Sequence, residues 1–340
     1  MKILIYDAIH FISLLTGRKL RNIIKLWVSY QLSRIVRKPI HWGMPMTIEI
    51  EPTTSCNLRC PQCISGLRDF TRDTGMLQSS MFEQVIDELH HDLVWLVLYF
   101  QGEPFLNKKF LDYIRYASQK NIYTATSSNG HYFTDEVAKQ TIESGLSRLI
   151  ISIDGTSQET YSKYRIGGKL DEVIAGTQRI LYWKKQLGSS TPHVIWQFIV
   201  FKHNEHELPI IKKLAKEMGV DELAIKTAQV YGYENDKDFI PDNKDLSRYQ
   251  RNADGSYVIK NSLDNHCWKM WRSSVITWDG WVVPCCFDKD ASHKLGNVSK
   301  QTFSSVWSAK ESNDFRGQVL KHRNKIAMCT NCTEGTKVWG

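Results

Sequence analysis

From Met46 onward, short runs rich in β-branched and aromatic residues alternate with longer stretches whose apolar positions recur every three or four residues. The short runs predict strands over Thr47–Glu51, Trp95–Phe100, Tyr123–Ser127, Arg148–Ile153, Val194–Val200 and Glu222–Thr227. The longer stretches predict helices over Ser80–His91, Lys108–Lys120, Asp135–Ser144, Asp171–Gln186 and Glu205–Met218. Several of these open on a Ser, Thr, Asn or Asp suited to cap a first turn. Six such units in succession argue for a parallel α/β sheet, either an incomplete barrel or an open doubly wound sheet. Chemistry is then expected at the carboxyl ends of the strands.

The periodicity fades over residues 231–264, which are rich in Asp, Asn, Lys and Tyr and read as a linker. A second unit, residues 265–340, follows. It contains two apolar arms, from Val275 to Val283, about an Asp279-Gly280 turn, the pattern of a tight hairpin. Ahead of the main body, residues 1–45 form an amphipathic arm. Leu20, Ile23, Ile24 and Trp27 share one helical face, and Arg18, Arg21 and Lys25 form a cationic stripe.

Composition narrows the classes. The chain of 340 residues is 42% hydrophobic and 24% charged, ordinary for a globular protein with one barrel-sized domain and a smaller unit. Its formal net charge of +8 is concentrated at the start, where residues 1–46 carry eight Lys/Arg against one acid. The body is nearly neutral, so nucleic acid is not expected as a partner. The arm is expected to dock on the barrel, with adsorption of residues 1–40 to anionic lipid as the alternative. The longest apolar run, Leu93–Phe100, is too short to span a bilayer. The stretch from Ile3 to Leu15 is interrupted by Asp7 and His10 and is not followed by a signal-peptide cleavage site. Eight cysteines in close groups point to metal binding in a reducing cytoplasm, with peripheral contact at the membrane's inner face if the arm adsorbs to lipid.

Three of those cysteines, Cys56, Cys60 and Cys63, follow the first predicted strand as CxxxCxxC. Three thiolates leave one corner of a four-iron cube without a protein ligand, and an open iron can chelate a small molecule and pass it an electron. Structural zinc normally takes four ligands in two close pairs, and no His or fourth Cys lies nearby to complete that set. Farther on, Cys267 precedes the hairpin, Cys285 closes it, and Cys329 and Cys332 form a CxxC near the end. Hairpin plus CxxC is also the pattern of a zinc ribbon, so zinc stays open for this second group.

Together these strings resemble radical S-adenosylmethionine (SAM) enzymes that carry a SPASM or twitch-type C-terminal domain. The likeness covers roughly residues 46–340. Besides CxxxCxxC it rests on Gln101-Gly-Glu-Pro104, Ser128-Asn-Gly130, Ile151-Ser-Ile-Asp-Gly155, the run from Cys267 through Gly280 to Cys285, Leu295-Gly-Asn-Val298, and Val306-Trp307. The resemblance implies a partial (β/α)6 TIM-type barrel with a small β-hairpin plus helix domain for an auxiliary cluster. Cys56, Cys60 and Cys63 would ligate the SAM-cleaving [4Fe–4S] cluster. Gly102, Glu103 and Pro104 would meet the amino group of SAM, with Ser128 and Asn129 at the end of the third strand. Ser152 and Asp154 would lie on its ribose side, and Arg165 would pair with its carboxylate. For Asp154 a turn role before Gly155 is an equal expectation. Gln62 stands where relatives often place an aromatic residue, and Gln101 replaces the first glycine of GGEP; neither change removes a ligand.

The resemblance also implies that Cys267, Cys285, Cys329 and Cys332 hold one fully ligated auxiliary [4Fe–4S] cluster, as in the twitch version, suited to accept an electron. Cys286 follows a ligand at a place where peptide-oxidising relatives carry an acidic base, so Cys286 or Asp288 is the candidate for facing the substrate; a buried spectator thiol is the plain alternative. The expected reaction is SAM cleavage to a 5′-deoxyadenosyl radical, hydrogen abstraction, and oxidation of the substrate through the auxiliary cluster. Small-molecule dehydrogenation is favoured over maturation of a ribosomally made peptide, and a flavodoxin or ferredoxin would be the electron donor. The rival of another class is a non-catalytic zinc or iron–sulfur binding protein.

Overall fold

The computed structural model describes residues 2–234 and 238–333. A nine-stranded, largely parallel sheet runs in the order β11-β10-β9-β1-β2-β3-β4-β5-β6. Its strands are β1 (Thr47–Ile50), β2 (Trp95–Val97), β3 (Tyr123–Ser128), β4 (Arg148–Ser152), β5 (His193–Val200), β6 (Glu222–Thr227), β9 (Ser273–Ile276), β10 (Trp281–Val283) and β11 (Gly296–Asn297). The sheet is open, as the incomplete-barrel reading expects. β7 (Tyr249–Arg251) and β8 (Tyr257–Ile259) pair separately as a small antiparallel ribbon within the expected linker.

Alternation along the strands sets the two faces. Ile48, Ile50, Leu96, Leu98, Leu149, Ile151, Trp196 and Phe198 are buried in one core with the covering helices Ser79–Leu89, Phe110–Gln119, Asp135–Glu143, Leu170–Gln186 and Leu208–Met218. The intervening residues Glu49, Trp95, Val97, Ala125, Arg148 and Ile150 line an interior cavity of about 460 Å³. Helix starts follow the expected logic: the Thr134 hydroxyl accepts the amide of Val137, and a short helix at Gln158–Tyr164 is capped by Ser157. The second strand ends earlier than its apolar run, at Val97, because the chain turns toward Gly102.

The hairpin is not a free-standing lobe. β9 pairs in parallel with β1 from Thr47↔Ser273 to Ile50↔Ile276, so the sheet continues across residue 265. The N-terminal arm folds as two helices, α1 (Lys2–Ser13) and α2 (Gly17–Val36). α1 docks across one end of the barrel: Phe11 packs on Trp95 and Tyr123, and Asp7 binds Tyr123 and Arg148. No helix among the described residues is long and apolar enough to cross a membrane.

Candidate active site

The loop that follows β1 carries Cys56, Cys60 and Cys63, and it is pinned at both ends. Glu51, fully buried, accepts a two-pronged pair from Arg72 at 2.6 and 2.9 Å and the amide of Trp278 in the hairpin turn. Thr53 forms an isolated antiparallel bridge with Met76 where the chain returns. The three thiols share one packed cluster with Leu58, Tyr164 and Phe201. Burial pushes Cys56 up to about 12, with Cys60 and Cys63 among the charges that add to the shift, and burial raises Cys60 as well. A side chain on Gly66 would meet the backbone of Cys60 at 2.5 Å, so glycine there lets the short helix Ile64–Leu67 close on the loop.

Gln101-Gly-Glu-Pro104 docks directly on this loop. Gly102 has φ +73°, and a Cβ there would lie 2.3 Å from the Thr53 carbonyl oxygen, which only glycine avoids. Its amide donates to Ser65 Oγ at 2.9 Å, and the Glu103 amide donates to the Ser55 carbonyl at 2.8 Å. The Glu103 carboxylate turns to the next strand end. It accepts Ser128 Oγ at 2.9 Å and the Asn129 amide at 2.8 Å, while Asn129 Nδ2 reaches back to Asn57 in the cysteine loop. Pro104 opens the single turn that leads away.

The fourth strand end completes the ring. Asp154, wholly buried, accepts Arg165 Nε at 2.6 Å and the Ile199 amide at 2.7 Å. Arg165 also points Nη1 toward Cys60 Sγ at 3.8 Å. Burial opposes the Arg165 charge, but Asp154 and Cys60 overcome it and hold the guanidinium firmly protonated. Ser152 is buried one turn of the chain away, in register with Gln197. Gln62 Oε1 accepts the amide of Tyr231 at 2.7 Å.

The second thiol group is gathered elsewhere. Cys267, Cys285 and Cys329 share a packed cluster with Trp271, Phe315, Val319 and Ile326. Arg323 donates to Cys332 Sγ at 3.6 Å, and its charge is felt by Cys267, Cys332 and Cys329. Burial takes Cys329 up to about 11.

Cys286 and Asp288 part company. Cys286 lines the barrel cavity, where Lys269 Nζ donates to its sulfur at 2.9 Å and to Glu49 Oε1 at 3.0 Å, with Tyr99 adjoining. The hydrogen bond with Cys285 draws Cys286 down against burial, with Lys269 assisting. Asp288 faces a different groove, beside Tyr231, Lys289 and His293. Its two oxygens accept the amides of Ser292 and His293 at 2.8 Å each, so it closes the turn after the hairpin and lines that groove, whereas Cys286 lines the cavity. Sequence reasoning missed Glu49, Tyr99, Lys269, Tyr231 and Arg323. Lys269 and Arg323 had one available signal, a basic residue near a cysteine.

The donor sets suit iron–sulfur groups: Cys56, Cys60 and Cys63 pack in one cluster beside Arg165, and Cys267, Cys285 and Cys329 pack in another, to which Arg323 joins Cys332; each arginine can balance thiolate charge. The radical SAM superfamily matches residues 50–181, and an iron–sulfur cluster-binding domain, SPASM, matches residues 267–333. A tungsten-containing aldehyde ferredoxin oxidoreductase cofactor-modifying protein of Pyrococcus furiosus is 23% identical over 319 residues, covering 84% of this chain and 86% of that protein. A PqqA peptide cyclase of Rhodopseudomonas palustris is 27% identical over 199 residues, covering 56% of this chain and 49% of the cyclase. In structure, Streptococcus suis SuiB bound to S-adenosylmethionine is similar at a TM-score of 0.63 and 12% identity, over 87% of this chain and 73% of SuiB. The chain thus belongs to the radical SAM superfamily, as a member with a C-terminal SPASM iron–sulfur domain.

Proposed function

We propose that the chain oxidises a small, cofactor-sized substrate in the barrel cavity by hydrogen abstraction. In this reading Cys56, Cys60 and Cys63 hold the SAM-cleaving [4Fe–4S] cluster, and Cys267, Cys285, Cys329 and Cys332 hold a fully ligated auxiliary cluster. The observation that carries it is the cavity of about 460 Å³, whose wall takes Cys286 from beside the second thiol group and Tyr99 from the strand leading into Gly102-Glu-Pro104. A substrate there would meet Cys286, next in sequence to Cys285 of the second thiol group. The cofactor-modifying relative, matched along most of its length, supports a substrate of that size.

Held by Cys56, Cys60 and Cys63, a reduced cluster would supply the one-electron chemistry that splits SAM into methionine and a 5′-deoxyadenosyl radical. The chain's own residues do the rest. The backbone around Gly102 and Pro104, held by Ser65 and Ser55, presents polar groups to the SAM amino end, and Arg165 offers a fork donor to its carboxylate. Asn129 and Ser152 would lie on the ribose side, and Asp154, buried against Arg165 and Ile199, would hold the guanidinium in place. The walls Phe11, Trp95, Tyr99 and Phe100 exclude water, which keeps a reactive radical on its intended C–H bond. Lys269 sets the Cys286 sulfur and the Glu49 carboxylate side by side, giving the substrate a polar anchor and a place to leave a proton.

A second reading is maturation of a ribosomally made peptide, favoured by the peptide cyclase match and by the SuiB likeness. Anaerobic reconstitution separates the cases. About eight irons per chain are expected, with 5′-deoxyadenosine formed from SAM once flavodoxin or ferredoxin has reduced the loaded protein. Deuterium carried into 5′-deoxyadenosine from labelled small molecules, but not from peptides, supports the first reading. A fully loaded protein that makes no 5′-deoxyadenosine removes both. Cys286→Ser and Lys269→Met are expected to abolish substrate oxidation while leaving uncoupled SAM cleavage within about threefold of the parent.

A further inference from the structure

We propose that the outer face of α2 seats this enzyme on an anionic lipid surface. The helix is turned the opposite way from an ordinary amphipathic helix. Its packed face is largely polar: Lys19, Asn22, Ser29 and Ser33 are buried there with Leu26 and Tyr30. Those polar groups are satisfied, Asn22 by the Met44 backbone in both directions, Ser33 by the Ile40 backbone, and Lys19 by the carbonyls of Leu14 and Asn121. The apolar face looks out. Leu20, Ile24, Trp27 and Ile35 are 48, 63, 55 and 78% exposed. At about 100° per residue these four fall on one stripe about 80° wide that is turned away from the packed face.

The charge beside the stripe says what covers it. Arg21 and Lys25 are exposed along one flank and Arg34 along the other. Residues 1–46 carry eight basic residues against one acid, whereas the rest of the chain is almost neutral. A second copy of this helix would bring like charges together around the same apolar stripe. An anionic bilayer instead takes the apolar side chains below its headgroups and pairs the flanking cations with phosphates. α1 adds exposed Ile9 and Ile12 to the apolar surface of the arm. No described helix can span a bilayer, so the contact lies on the surface. The proposal does not depend on the reaction, because neither thiol group nor the cavity is involved.

The test is flotation of the full chain with vesicles of phosphatidylcholine alone and of phosphatidylcholine with phosphatidylglycerol. Binding to the anionic vesicles only is expected, weakened by high salt. Ile24→Glu with Trp27→Glu should lower the bound fraction on the order of tenfold or more, with the melting temperature unchanged because both side chains are exposed. Arg21→Glu with Lys25→Glu should also release the protein. Failure to float with either vesicle, or equal flotation of parent and Ile24→Glu/Trp27→Glu, overturns the proposal. So does a concentration-dependent dimer, without vesicles, that the same double variant abolishes.

Discussion

Glu103 shows how one buried carboxyl ties two loops and leaves a pH signature. Burial lifts it to about 7, although the Asn129 amide and the Ser128 hydroxyl pull it down. A carboxyl raised in the folded chain binds its proton more tightly there than in the unfolded chain. Its contribution to stability is therefore complete below the ordinary value of 4.5 and is lost as pH rises through about 7. The cluster-free protein should melt progressively earlier across that window, and Glu103→Gln should flatten its share of the slope; equal slopes for both proteins would refute the assignment. Arg165 is the other residue on which the site turns. Arg165→Met strips Asp154 of its charge partner, and a loss of roughly 3–5 kcal/mol is expected, measured by denaturant unfolding. In the structure the Asp154 carboxylate is taken up by Arg165 and Ile199 and caps no local turn.

At the level of elements, the loop of Gly102 and the hairpin do the positioning. Gly102→Ala has no room against Thr53 and no comfortable backbone, so the two strand-end loops must separate. A destabilisation of about 1–3 kcal/mol is expected, together with reduced iron retention, read by thermal melting and iron assay. The strands were legible in the alternation of the sequence because sheet faces differ in polarity, and most bounds shift by one or two residues. The ribbon of β7 and β8 was hidden, since three-residue strands leave no measurable period. In α2 the pattern of the sequence did not show which face packs: the polar face is buried and most of the apolar one is exposed.

Over the whole molecule, the parallel pairing of β9 with β1 makes one sheet out of two sequence units. Trp271 joins α2 to this seam, wholly buried and donating Nε1–H to the Ile40 carbonyl at 2.9 Å. Trp271→Ala is expected to cost about 3–5 kcal/mol, and calorimetry should show one shifted transition, since the seam couples both units; two separated transitions would contradict the continuous sheet. The chain's own letters determined the alternation of strands and helices and the two sets of thiols, because periodicity and cysteine spacing are local properties. Which cation faces which sulfur, that Cys286 enters the cavity while Asp288 closes a turn, and that the hairpin extends the barrel were decided only in three dimensions. Those relations join residues far apart in sequence, through packing and burial that no local pattern encodes.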